Sequence, residues 1–123
     1  MERGACYGRC PIYKLTISAN GTVDYEGIRF VRIEGKRRSK INASQIEELV
    51  ASIKNADFFS LEDEYVTPAT DLPSITLSIT LDGQTKSIWH YGFLDCGSEN
   101  APQELCELES KIEEVVNSKQ WVK

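Results

Sequence analysis

Apolar and polar residues alternate along Ile12 to Ser18, with Tyr13, Leu15 and Ile17 in one set and Lys14, Thr16 and Ser18 in the other. This period-2 pattern predicts a strand with one buried and one wet face. Thr22 to Glu26 repeats it, with Val23 and Tyr25 as the apolar set. The link Ala19-Asn20-Gly21 decides whether the two sets share a face. A two-residue turn would pair Ile17 with Asp24 and separate them. A three-residue loop pairs Ile17 with Val23 and Leu15 with Tyr25, so both sets can meet one core. The expected link is therefore a type I turn with Gly21 left-handed and a G1 bulge. Ile28 to Ile33 and Arg37 to Ile41 read as a further hairpin turning at Glu34-Gly35-Lys36, on a poorer alternation.

Between residues 42 and 57 the period changes. Ile46, Leu49, Val50, Ile53 and Ala56 recur at helical spacing, and either Asn42 with Gln45 or Ser44 with Glu47 can form a capping box. The helix is expected to end near Asp57, with Phe58, Phe59 and Leu61 pinning the chain to the core. Glu62 to Pro73, with its acidic trio Glu62-Asp63-Glu64 and two prolines, reads as a long irregular connection. Ser74 to Leu81 then alternates cleanly, with Ile75, Leu77, Ile79 and Leu81 facing in. Asp82-Gly83 is a type I′ hairpin signal. A two-residue turn there pairs Leu77 with Ile88 and Ile75 with His90. That register puts His90 on the apolar face, and Trp89 and Tyr91 on the other face opposite Thr76 and Ser74. A second helix opens around Asn100 with Pro102 in its first turn. It turns Leu105, Leu108, Ile112, Val115 and Val116 inward and leaves Cys106 on the flank of the stripe.

Two amphipathic helices and strands with one apolar face each assemble most simply as an α+β fold. The expectation is a two-layer sandwich, an antiparallel β-sheet in element order ββββ-α-ββ-α with two helices packed on one face. Residues 1–123 make a single α+β domain, long enough for a core without obligatory staples. The 41% hydrophobic and 27% charged fractions are those of a globular chain.

Charge changes the picture little. Residues 1–54 hold 10 Lys/Arg against 6 Asp/Glu, whereas residues 55–123 hold 4 against 13. The basic cluster Arg29, Arg32, Lys36, Arg37, Arg38 and Lys40 reads as a solvated hairpin tip, and the acidic second half argues against nucleic acid as a partner. No apolar run approaches the roughly 20 residues of a transmembrane helix. As it stands the chain is expected to be cytoplasmic, or exported or lipid-anchored if a signal peptide precedes it.

Cysteine is the residue type that could be ligand, nucleophile or staple here. Cys6-Tyr7-Gly8-Arg9-Cys10-Pro11-Ile12-Tyr13 sets two thiols, a turn glycine and a rigid proline against the first strand. This Cys6-x-Gly8-x-Cys10-Pro11-x-Tyr13 opening, the hairpin Gly21-x-Val23-x-Tyr25-x-Gly27, and Asp71-x-Pro73 with His90-Tyr91 resemble an uncharacterised bacterial domain-of-unknown-function family. The likeness runs from about Cys6 to Trp121. It implies no activity, substrate or cofactor, although members of that group often look exported or lipid-anchored.

Several chemistries compete for the remaining residues. Cys6, Cys10, Cys96 and Cys106 allow four free thiols or any of three disulfide connectivities. Zinc would need Cys6, Cys10, His90 and Cys96 to converge in a tetrahedral Cys3His set, with a core histidine as the alternative reading of His90. Thiol redox work would draw on Arg9 to lower a cysteine pKa, but Cys-x3-Cys leads into a strand and not a helix. Cys10, His90 and Asp71 have the residue types of a hydrolase, with no spacing that unites them. A glycine-rich phosphate loop is missing. The open sheet face offers Trp89 and Tyr91 beside Thr76, with Asp71 near its end. It is the candidate platform of a small non-catalytic binding or protein-interaction domain, for an unknown protein or small ligand and without a cofactor. The alternative is a thiol-redox or zinc-binding protein using Cys6 and Cys10.

Overall fold

The computed structural model describes residues 1–5, 10–68, 72–92 and 102–123. Its first hairpin joins β2 (Ile12–Ile17) to β3 (Thr22–Arg29). Leu15 faces Tyr25 and Ile17 faces Val23, the register of the three-residue loop. Gly21 is left-handed at φ 91°, and a Cβ there would lie 2.2 Å from the Ile41 carbonyl oxygen. β4 (Gly35–Lys40) pairs with the outer side of β3.

The glycine hairpin motif is structural throughout. Val23 and Tyr25 are fully buried, and Tyr25 stacks on Trp121 at 4.8 Å. The Tyr25 hydroxyl donates to the Ile33 carbonyl at 2.8 Å. Gly27 leaves the space this needs, since a Cβ would sit 2.1 Å from that same oxygen.

α1 (Ala43–Asn55) starts with the capping box of Asn42 and Gln45, two reciprocal hydrogen bonds of 2.8 Å. It stops at left-handed Asp57, after which a 3-10 turn, Phe58–Ser60, buries Phe58. β6 (Ser74–Leu81) and β7 (Gln84–Tyr91) form the Asp-Gly hairpin in the expected register, Leu77 opposite Ile88 and Ile75 opposite His90. Asp82 and Gly83 both have positive φ, as a type I′ turn requires. α2 (Gln103–Val116) and the short α3 (Lys119–Val122) complete the chain.

Four features differ from expectation. Glu2–Arg3 forms a strand, β1, between β2 and β6 in the middle of the sheet. Two charged residues carry no alternation, so backbone pairing alone reveals it. Glu64–Val66 forms β5, parallel to β7, inside the supposedly irregular connection. Three residues are too few to show a period. The expected Ile28–Ile33 strand does not form. β3 instead runs on to Arg29, Phe30 turns left-handed, and the Arg32 and Ile33 amides donate to the Val122 and Trp121 carbonyls. Lastly, Pro102 caps α2 in extended conformation and does not sit in its first turn. The expected start at Asn100 lies outside the described residues.

The sheet has seven strands in the order β4-β3-β2-β1-β6-β7-β5 and is antiparallel except for its β5–β7 edge. Tyr13, Leu15, Val23, Tyr25, Leu77 and Ile88 line its inner face and meet Leu49 of α1 with Leu105, Leu108, Ile112 and Val116 of α2. Both helices therefore cover one face.

Candidate functional site

The strand register builds the uncovered face in rows. Across one row lie Lys14, Glu2, Thr76, Trp89 and Glu64, and across the next Ser74, Tyr91 and Val66. Trp89 is 39% exposed and stacks on Tyr91, with ring centroids 5.4 Å apart and planes 30° from parallel. Residues i and i+2 of one strand share a face, so a tight hairpin with the right register makes this stack directly. The Tyr91 hydroxyl accepts from the Leu72 amide at 3.1 Å, fixing the inner ring and leaving the Trp89 ring to solvent. Beyond the aromatics the face is hydroxyl-rich, with Ser78 and Ser87 hydrogen-bonded to each other and Thr80 to Thr85. Val66, on β5, extends the apolar part of the platform outward and is 43% exposed.

A second feature lies where β1, β2 and the end of α2 meet. A cleft of about 450 Å³ is lined by Cys10, Pro11 and Tyr13 of the opening motif, with Arg3 and Glu113 in its wall. The Tyr13 hydroxyl donates to Glu113 Oε1 at 2.6 Å, and Arg3 Nε donates to both Tyr13 Oη and Glu113. Burial pushes the Tyr13 phenol well above its ordinary range, with the Glu113 charge adding and Arg3 opposing. For Arg3, burial disfavours the charge, but the hydrogen bond and charge of Glu113 outweigh it and raise the pKa. These three groups satisfy one another, and Cys10 at the rim is disulfide-bonded.

The third feature is inside. His90 is 1% exposed and Glu109 is 3% exposed, and His90 Nδ1 lies 3.0 and 3.1 Å from the two Glu109 oxygens. Cys106, one helical turn before Glu109, is buried beside them and disulfide-bonded. Glu109 and Cys106 interrupt the apolar stripe of α2, and sequence reading did not select Glu109. A charged residue within a buried helical stripe, with the only histidine expected on the facing strand surface, was the available signal.

A family model described as a domain of unknown function (DUF6438) matches residues 1–116. The chain belongs to that family. Comparison with curated proteins gives no match. Membership brings no activity with it, so the sites rest on their geometry. The structure brings Trp89, Tyr91 and Thr76 together on one face, as their alternation requires. It places His90 on the opposite face with Glu109. Cys10 lines the cleft as half of a disulfide. Cys6, Asp71 and Cys96 lie outside the described residues. No helix among the described residues is long and apolar enough to cross a membrane.

Proposed function

We propose that this chain is a small non-catalytic binding domain whose recognition surface is the uncovered sheet face. The observation that carries the reading is the solvent-exposed Trp89 ring, held against Tyr91 by the strand register, with Thr76 opposite Trp89 and Ser74 opposite Tyr91 on β6. An aromatic plane takes a flat, weakly polar ligand surface, and hydroxyls beside it take the ligand's polar edge. The ligand class that presents both is a saccharide ring. A non-catalytic role accords with the three polar groups of the cleft being mutually satisfied.

An oligosaccharide array probed with the full chain tests this, followed by titration of any hit against Trp89→Ala. Trp89→Ala is expected to lose binding at least about tenfold while changing stability by less than about 1 kcal/mol, as for an exposed position. Saccharide binding that survives Trp89→Ala, or no binding across the array, would reject the reading.

A second reading, thiol redox or zinc chemistry at Cys6 and Cys10, draws on the Cys10 disulfide at the cleft rim. A disulfide sulfur is no thiolate ligand, which narrows this reading to disulfide exchange while Cys10 stays oxidised. Cys10→Ser should then change the chain's redox behaviour and leave saccharide binding intact.

A further inference from the structure

Most of the basic cluster lies on β4, which ends the sheet on one side and pairs with β3 alone among the described strands. An outer strand turns alternate peptide groups toward its neighbour and the rest away from the sheet. The phase is set at the end of this ladder, where the Ile41 amide donates to the Gly21 carbonyl at 2.8 Å. Counting back by twos, Ser39 and Arg37 bond to β3, while Lys40, Arg38 and Lys36 turn their amides and carbonyls outward. The Thr22 carbonyl, opposite Lys40, agrees with this phase, since it accepts from the Ser18 amide on the β2 side. Among the described residues, only the Arg37 guanidinium reaches the outward row, donating to the Lys36 carbonyl at 2.8 Å. That carbonyl keeps a second lone pair. The row is a template of unpaired backbone about one short strand long.

Side chains decide what can use it. Lys36, Arg37, Arg38 and Lys40 are all exposed. Lys36, Arg38 and Lys40 stand opposite Glu26, Asp24 and Thr22 and share their uncovered face, whereas Arg37 stands opposite buried Tyr25. Asp24 holds Arg38 at 2.7 Å, and Lys36, Arg37 and Lys40 make no ion pair among the described residues. Pairing with β4 of a second copy would set like charges against each other. The acidic edge strand β5 of a second copy has only three residues, too few to span Lys36 to Lys40. We infer that the β4 edge is a docking site for an extended acidic segment of a partner polypeptide, about five residues long, which adds to the sheet as a further strand. Backbone hydrogen bonds to Lys36, Arg38 and Lys40 hold the segment, and carboxylates at its alternate positions meet those three side chains on the uncovered face. The same charges keep apolar and basic strands off the edge, so attraction and exclusion both select for acid. This surface does not depend on the saccharide reading of Trp89.

The probe is a labelled, end-capped peptide of alternating glutamate and valine, with lysine replacing glutamate in its control. Fluorescence anisotropy with the full chain at low salt should show saturable binding of the glutamate peptide, at least about tenfold tighter than its lysine counterpart. Hydrogen exchange followed by NMR then reads the strand pairing itself. With peptide at saturation the Lys36, Arg38 and Lys40 amides should exchange at least about tenfold more slowly, and the Arg37 and Ser39 amides, already bonded to β3, should change less. Arg38→Ala removes one charge, whereas Arg38→Pro also removes an outward amide that β3 does not use. The proline variant should therefore bind at least about fivefold more weakly than the alanine variant. Exchange in the wild type decides the matter whether or not Arg38→Pro folds. A glutamate peptide that fails to bind, or a lysine peptide that binds equally, would overturn the inference. So would binding that leaves the three amides unprotected, the mark of a charge-only surface for polyanions.

Discussion

Tyr13 joins the core to the cleft. Its ring packs against Tyr25 at 5.9 Å, and its hydroxyl is caught between Arg3 and Glu113. Because its phenol is raised in the folded state, the native chain keeps a proton that the unfolded chain releases near the ordinary tyrosine pKa of about 10. Above that pH the unfolded state binds fewer protons than the native state, so stability is fully present below about pH 10 and falls as pH rises. Urea midpoints measured across that range should drop in the wild type. The fall should be shallower in Tyr13→Phe, with the remainder belonging to Tyr25, whose phenol burial also raises. Glu113→Ala removes the acceptor of the partly buried Tyr13 hydroxyl and the charge facing Arg3, and should cost about 1–3 kcal/mol by the same assay.

Among the elements, the β3 hairpin and α1 show how local signals were met. Gly27 of β3 pairs with Gly35, the first residue of β4, but the two positions call for glycine for different reasons. At Gly27 an added Cβ meets the Ile33 carbonyl, the Tyr25 hydroxyl and Val31, whereas at Gly35 it meets nothing within 4 Å and only φ is unfavourable. Gly27→Ala should therefore cost about 2 kcal/mol or more and loosen the Tyr25–Trp121 stack, while Gly35→Ala should cost about 1 kcal/mol from its left-handed backbone. Trp121 fluorescence would follow the first and be silent to the second. For α1, Asn42→Ala removes the cap's side-chain acceptor and should cost about 0.5–2 kcal/mol in chemical denaturation. Of the two capping boxes allowed by sequence, the one chosen is that in which Asn42 directly follows the end of β4 and Ile41.

For the molecule as a whole, β1 decides how the sheet closes. The β2–β3–β4 meander and the β6–β7 hairpin touch through it, with the Leu15 amide bonded to the Met1 carbonyl and the Gly4 amide to Ser74. Deleting residues 1–4 removes the central pairing of the sheet and leaves two facing edges unpaired, so the cooperative urea transition should broaden or vanish. A deletion variant that retains the wild-type midpoint would show that the helices alone hold the halves together.

Periodicity and turn chemistry were enough to set the two strong hairpins, their registers, both main helices and the inward face of each. These follow from local sterics and the apolar pattern, and a one-residue slip would have exposed every core side chain. The placement of Trp89 and Tyr91 outward and His90 inward came from the same rule. Three things needed the assembled chain. β1 and β5 are too short to carry a pattern and exist because neighbouring strands offer unpaired backbone groups. The Arg3–Tyr13–Glu113 triad joins residues about a hundred positions apart, and no local signal marks Glu113 among the acidic residues of α2. The pairing of His90 with Glu109 beside Cys106 likewise depends on how α2 lies across β7. Sequence sets what each segment can bury. Packing decides which buried polar groups meet.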